Sequence, residues 1–194
     1  MKISLAQINP TVGDINYNYK LIIRHAKIAQ KSGAEILITP ELSICGYPPE
    51  DLLLNKDFIK ECNNSLVKIA KKFPTLKIIV GHPRSSKGLL FNSASILHKG
   101  KIEATYDKQI LPNYGVFDEK RYFKAGNKNL IFSHKGKKFG LLICEDLWVK
   151  GPAEKLPNID YTICINASPY EINKPGARIS ELNKRFMHKK LSFN

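Results

Sequence analysis

The chain has 194 residues, enough for one domain with a sizeable core, and its 43% hydrophobic and 25% charged content is that of an ordinary globular protein. No apolar run approaches the length of a membrane span, and the N-terminal apolar stretch is too short for a signal peptide. The net charge of +14 invites a nucleic-acid reading, but only 5 of the 31 basic residues are arginines and the lysines are scattered, so neither a nucleic acid nor a membrane is expected as partner.

Four cysteines (Cys45, Cys62, Cys144, Cys164) show neither CxxC nor zinc spacing. That usage predicts a reducing, cytoplasmic compartment, free thiols and no metal.

In chain order, Lys2 to Ile8 alternates as a strand, and the turn chemistry of Asn9 to Asp14 follows. Ile15, Tyr19, Ile22, Ala26 and Ala29 then recur at helical spacing, with Gly33 as the stop. Residues 35–39 read as a second strand ending at Pro40-Glu41, before a proline-rich loop to Asn55. Phe58, Cys62, Leu66, Ile69 and Phe73 mark the inner face of a second helix. Residues 77–80 form a third strand, closed by Gly81-His-Pro83.

Residues 91–97 and 102–106 flank a hairpin turn, and the second of them runs out at Asp107-Lys108. The segment from Gln109 to Asn129 is long and irregular, which in a compact domain usually marks function. Residues 130–132 and 139–143 make another hairpin; the second strand reads as buried on both faces and ends at Cys144-Glu145-Asp146. The chain continues through a strand over 161–165, an exit at Asn166-Ala-Ser168, and a helix over 174–191 with Ile179, Leu182 and Phe186 inward. The alternation of strands and helices, with hairpins between, predicts an α/β layered fold.

Four polar groups thus lie just past strand ends, where open α/β sheets bind ligands: Glu41, Lys108, Cys144 and Ser168. A cysteine where a strand meets a helix start is favoured as thiolate by the helix dipole and has backbone N–H groups within reach of an oxyanion. Such a thiol needs a base, and no histidine stands at a comparable position, so Glu41 takes that place and Lys108 stabilises charge. Taken singly, Lys108 reads rather as one more solvated lysine and Cys144 as a buried inert thiol, and Glu41 has an alternative as a turn cap.

The motifs Pro40-Glu-Leu-Ser-Ile-Cys-Gly-Tyr-Pro-Pro-Glu-Asp51, Tyr106-Asp-Lys-Gln-Ile-Leu-Pro-Asn-Tyr-Gly-Val-Phe-Asp-Glu119, Leu142-Ile-Cys-Glu-Asp-Leu-Trp148 and Asn166-Ala-Ser-Pro-Tyr170 lie in one line along the chain. In them the sequence resembles the nitrilase (carbon–nitrogen hydrolase) superfamily, and within it the N-terminal glutaminase domains of glutamine-dependent NAD+ synthetases. The resemblance implies a four-layer αββα sandwich. It implies Glu41, Lys108 and Cys144 as catalytic triad, and Tyr114, Ser168 and Lys174 as contacts to a glutamine substrate. It also implies hydrolysis through a Cys144 thioester, with no metal or organic cofactor.

Two departures from that family stand out. No Ser-Gly-Gly-x-Asp-Ser loop occurs in residues 1–194, and a separate synthetase chain is an expected partner. The chain also ends after the helix that follows Ser168, so residues 1–194 are expected to form one hydrolase domain lacking its C-terminal strands. A homo-oligomer is expected. The alternatives to a glutaminase module are a free-standing amidase on another small amide and an inactive remnant serving as an interaction module.

Overall fold

The computed structural model describes residues 1–168 together with Gly176, Ile179, Ser180 and Leu182. Asp14 starts the first helix by accepting the Tyr17 N–H, and Asn55 caps the second by accepting from Asp57 and Phe58. These helices, α1 (Ile15–Lys31) and α2 (Lys56–Lys72), bury Ile22, Ala26, Ala29, Cys62, Leu66 and Ile69 at the spacing the sequence shows.

They cover one face of a five-stranded sheet in chain order: β1 (Ile3–Leu5), β2 (Ile36–Ile38), β3 (Lys77–Ser86), β4 (Leu89–His98) and β5 (Lys101–Asp107). β1, β2 and β3 are parallel, whereas β3, β4 and β5 are antiparallel. A second sheet holds β6 (Leu130–His134), β7 (Lys137–Ile143) and β8 (Tyr161–Ile165), with β7 central.

Alternation along the first sheet separates two cores. Leu37, Ile78, Val80 and Leu97 face the helices. Ile36, Ile79, Ala94 and Ile96 face the second sheet, where they meet Phe139, Leu141 and Ile143 of β7. The described residues therefore build α, β and β layers in that order. Leu182, in helical conformation, packs against the inter-sheet core. Ile179 was expected inward and is instead 61% exposed, and Phe186 lies outside the described residues.

The third strand differs from the sequence reading. It does not close at Gly81-His-Pro83 but runs on to Ser86 and turns back through Lys87-Gly88, both at positive φ. β2 ends at Ile38, opposite Ile79, so beyond that point β3 has no neighbouring strand on that side. The missing N–H of Pro83 therefore leaves no ladder bond unmade there.

That bare edge is covered by the turn carrying Glu41. Thr39 N–H donates to the Ile79 carbonyl at 3.0 Å, and Ile44 N–H and Ser43 Oγ donate to the Gly81 carbonyl at 3.2 and 3.3 Å. The approach is close enough to require glycine: a Cβ on Gly81 would lie 2.4 Å from Pro40 O and 2.5 Å from Leu42 N. Gly81→Ala should therefore cost ~1–3 kcal/mol of stability by urea unfolding. A loss below ~0.5 kcal/mol, the size of an ordinary surface substitution, would show that the turn is not pinned by this contact.

Candidate active site

Glu41 follows β2, Lys108 follows β5, Cys144 follows β7 and Ser168 follows β8. β2 and β5 run the same way in the first sheet, and β7 and β8 are parallel in the second, so strand ends deliver these side chains to one mouth. Two of the turns hold non-glycine residues at positive φ, Leu42 (+48°) after Glu41 and Cys144 itself (+45°). Residues held in that sparsely populated region cluster at functional sites. The Cys144 N–H is still tied to the Ile165 carbonyl at 2.9 Å, so the elbow starts from the β7–β8 ladder.

At the centre is Lys108, 1% exposed. Its ammonium donates to Glu41 Oε1 and to Glu119 Oε1, each at 2.7 Å. Burial alone would favour the neutral amine. The two carboxylates, Glu41 first, outweigh it and hold Lys108 protonated far above the ordinary lysine range.

Glu41 Oε1 also accepts from Asn92 Nδ2 at 2.8 Å, and Oε2 accepts from the Ala167 N–H at 3.0 Å. The base candidate is thus fixed by donors from β4 and from the segments after β5 and β8. Burial pushes Glu119 up to about 7, with Glu41 adding to the rise and Lys108 and the Tyr47 hydroxyl opposing it.

Cys144 is 5% exposed, and its Sγ lies 3.2 Å from Ser168 Oγ. The thiol is pushed up to about 12 by burial and then by the Glu41 carboxylate, while Lys108 and the Ser168 contact pull the other way. This corrects the expectation of a dipole-favoured thiolate. The helix behind the cysteine, α4 (Glu145–Trp148), is a single turn and carries little macrodipole. The group waiting at the mouth is a thiol whose proton a neighbour must take.

The remaining expected contacts divide. Ser168 stands against the sulfur, as above. Tyr114 is 59% exposed on the irregular 109–118 segment, its hydroxyl donating to Glu145 Oε1 at 3.0 Å and its ring edge-on to Phe117. Lys174 lies outside the described residues.

Glu119 and Asn92 escaped the sequence reading. Glu119 stands inside the Asn113–Glu119 motif, but an acid opening a helix, here α3 (Glu119–Tyr122), ordinarily reads as a dipole partner. Asn92 was hidden inside a run read only as strand; the full burial that marks it out belongs to the folded state. Among the described residues no group of three His, Cys, Asp or Glu side chains converges as a metal site would, and no helix is long and apolar enough to cross a membrane.

The profile of the carbon–nitrogen hydrolase family matches residues 2–176. The glutamine-dependent NAD+ synthetase of Acinetobacter baylyi is 39% identical over 186 residues, covering 94% of this chain and 34% of that protein. The enzyme of the same name from Thermotoga maritima is 37% identical over 193 residues. The structure of glutamine-dependent NAD+ synthetase from Acinetobacter baumannii, in complex with adenosine diphosphate, superposes with a TM-score of 0.88 at 38% identity over 94% of this chain and 35% of that one. An amidase from Nesterenkonia sp., 24% identical, shares the fold with a TM-score of 0.77 over 92% of this chain and 70% of its own. The chain spans about a third of the length of the curated synthetases it matches, 34% in the first of them. With four polar strand ends meeting at the mouth of an α/β nitrilase-like fold and the family's profile matching most of its length, the chain belongs to the carbon–nitrogen hydrolase family.

Proposed function

We propose that this chain hydrolyses the side-chain amide of glutamine to glutamate and ammonia through a thioester on Cys144, as the ammonia-supplying part of glutamine-dependent NAD+ synthesis. The observation that carries this reading is the buried Lys108 ammonium held between Glu41 and Glu119 beside the Cys144 thiol. The synthetases that match over 94–95% of the chain support the choice of amide. The synthetase partner is part of the same proposal.

The chemistry divides among the residues as follows. Glu41 Oε2 has one backbone donor, leaving a lone pair to take the Cys144 proton as sulfur attacks the amide carbon. Lys108 spends two of its three N–H donors on carboxylates; the third, with the N–H that follows Cys144, receives the developing oxyanion. The intermediate collapses as Glu41 returns the proton to nitrogen, the C–N bond breaks, and ammonia leaves. Water, deprotonated by Glu41, then attacks the thioester; glutamate departs and the thiol regains its proton. Tyr114, Ser168 and Lys174 complete the proposal as contacts to glutamine.

Cys144→Ala should abolish ammonia release from glutamine while leaving the thermal transition in place; ammonia release persisting in that variant would remove Cys144 as the nucleophile. Lys108→Met should lower kcat by ~10²–10³ with little change in KM, the signature of a lost oxyanion donor. A rise confined to KM would instead make Lys108 a ground-state binding residue.

With the thiol pushed up to about 12, its reaction with methyl methanethiosulfonate, a reagent lacking an amide, should rise about tenfold per pH unit from pH 7 to 10. A plateau below the ordinary cysteine value of roughly 8.5 would mean that the thiolate is preformed.

A further inference from the structure

Lys108 and Cys144 belong to different sheets, and their separation is set by whatever joins the chain after β5 to the chain after β7. Besides the Tyr114–Glu145 hydrogen bond, a fully buried side chain does so. Asp146, second residue of α4, is 0% exposed and its carboxylate accepts four hydrogen bonds. Oδ1 accepts the backbone N–H groups of Gln109 at 3.0 Å and Ile110 at 2.7 Å, the two residues that follow Lys108. Oδ2 accepts the N–H of Ile143 at 3.2 Å, the residue before Cys144, and the Tyr106 hydroxyl at 2.8 Å.

We propose that Asp146 is a positioning residue that clamps the Lys108 segment onto the Cys144 elbow and so fixes the ammonium relative to the sulfur. Both anchor points flank the reacting groups directly, one residue from Lys108 and one from Cys144. The clamp is also doubled. Tyr106, two residues before Lys108, bonds to Asp146, and its hydroxyl in turn accepts from the Gln109 side chain at 3.2 Å, which also reaches Asn129 Oδ1 at 2.8 Å. A buried carboxylate with four donors is satisfied at each lone-pair direction it presents, so it sets geometry.

The inference rests on the catalytic roles proposed for Lys108 and Cys144, and its test separates the two. Asp146→Asn can keep the Gln109 and Ile110 bonds through its carbonyl oxygen, but its amide nitrogen then faces the Ile143 N–H as a second donor. Asp146→Ala loses both halves of the clamp. With glutamine, kcat should fall ~10-fold in Asp146→Asn and ~100-fold in Asp146→Ala, with KM changed less than ~3-fold, as for groups displaced by about an ångström. In a Lys108→Met background the same substitutions should cost little further, because no ammonium remains to be placed.

A second readout needs no turnover. Modification of Cys144 by methyl methanethiosulfonate at pH 8.5, located by peptide mass, should slow at least ~3-fold in Asp146→Asn, as half a pK unit of lost ammonium stabilisation requires. It should slow likewise in Lys108→Met, and no further in the double variant. Modification unchanged or faster in Asp146→Asn, or equal fold losses with and without Lys108, overturns the clamp. Absence of ammonia release by the unsubstituted protein would overturn the glutaminase reading alone and leave the thiol readout to decide on Asp146.

Discussion

The site depends on a buried lysine bonded to two carboxylates. Taking an ammonium and its partners out of water is expensive, and it is stable only where geometry and additional hydrogen bonds repay the lost hydration. Lys108 bonds Glu41 and Glu119, Glu41 is further held by Asn92 and Ala167, and Glu119 by Tyr47 through Oε1, while Glu119 Oε2 is left without a partner among the described residues. Removing any one partner leaves an uncompensated charge in a water-poor place, so the cluster fixes its own members' positions. The same electrostatics set the chemistry. The lysine is kept charged, the thiol is kept protonated, and Glu41 is left as the group between them.

The backbone is shaped to let that cluster form. Gly81 allows β3 to press against the Pro40–Leu42 turn, and Gly126 does the same behind Lys108: a Cβ there would lie 2.3 Å from Asp107 O, and its N–H donates to the Lys108 carbonyl at 2.8 Å. Leu42 and Cys144 accept positive φ so that the chain can turn at the sheet end. Beneath the mouth, Arg84 and Ser93 fix Asp107, the last residue of β5, whose next neighbour is the lysine. Fold and site are therefore joined both by close main-chain approach at Gly81 and Gly126 and by the side chains of Arg84, Ser93 and Asp146.

Much of this was legible in the sequence because it follows from strand ends and apolar periodicity. Helical spacing located α1 and α2 with their inner residues, and the strand runs ending at Glu41, Lys108 and Cys144 brought those residues to one mouth. Gly81-His-Pro83 misled because proline and glycine punctuate chains; here they serve an edge that has no partner strand and a backbone that comes too close for a side chain. Glu119 was hidden by its position, since its contact with Lys108 is tertiary and no local pattern marks it. The thiol's protonation was misjudged because a residue's burial and the length of the helix behind it belong to the folded state. Ile179 shows the same limit: a plausible inward position by spacing is exposed in three dimensions.

The most direct test of the central claim uses 6-diazo-5-oxo-L-norleucine, a glutamine analogue whose ketone carbon stands where the side-chain amide carbon would and whose diazomethyl carbon, in place of the amide nitrogen, alkylates a thiol with loss of N2. Incubation of the protein with this reagent, followed by peptide mass analysis, reads which thiol the bound side chain meets. The account predicts a single adduct on Cys144, suppressed by glutamine and absent in Glu41→Gln. Labelling spread over Cys45, Cys62 and Cys164, or labelling of Cys144 that glutamine does not suppress, would contradict it.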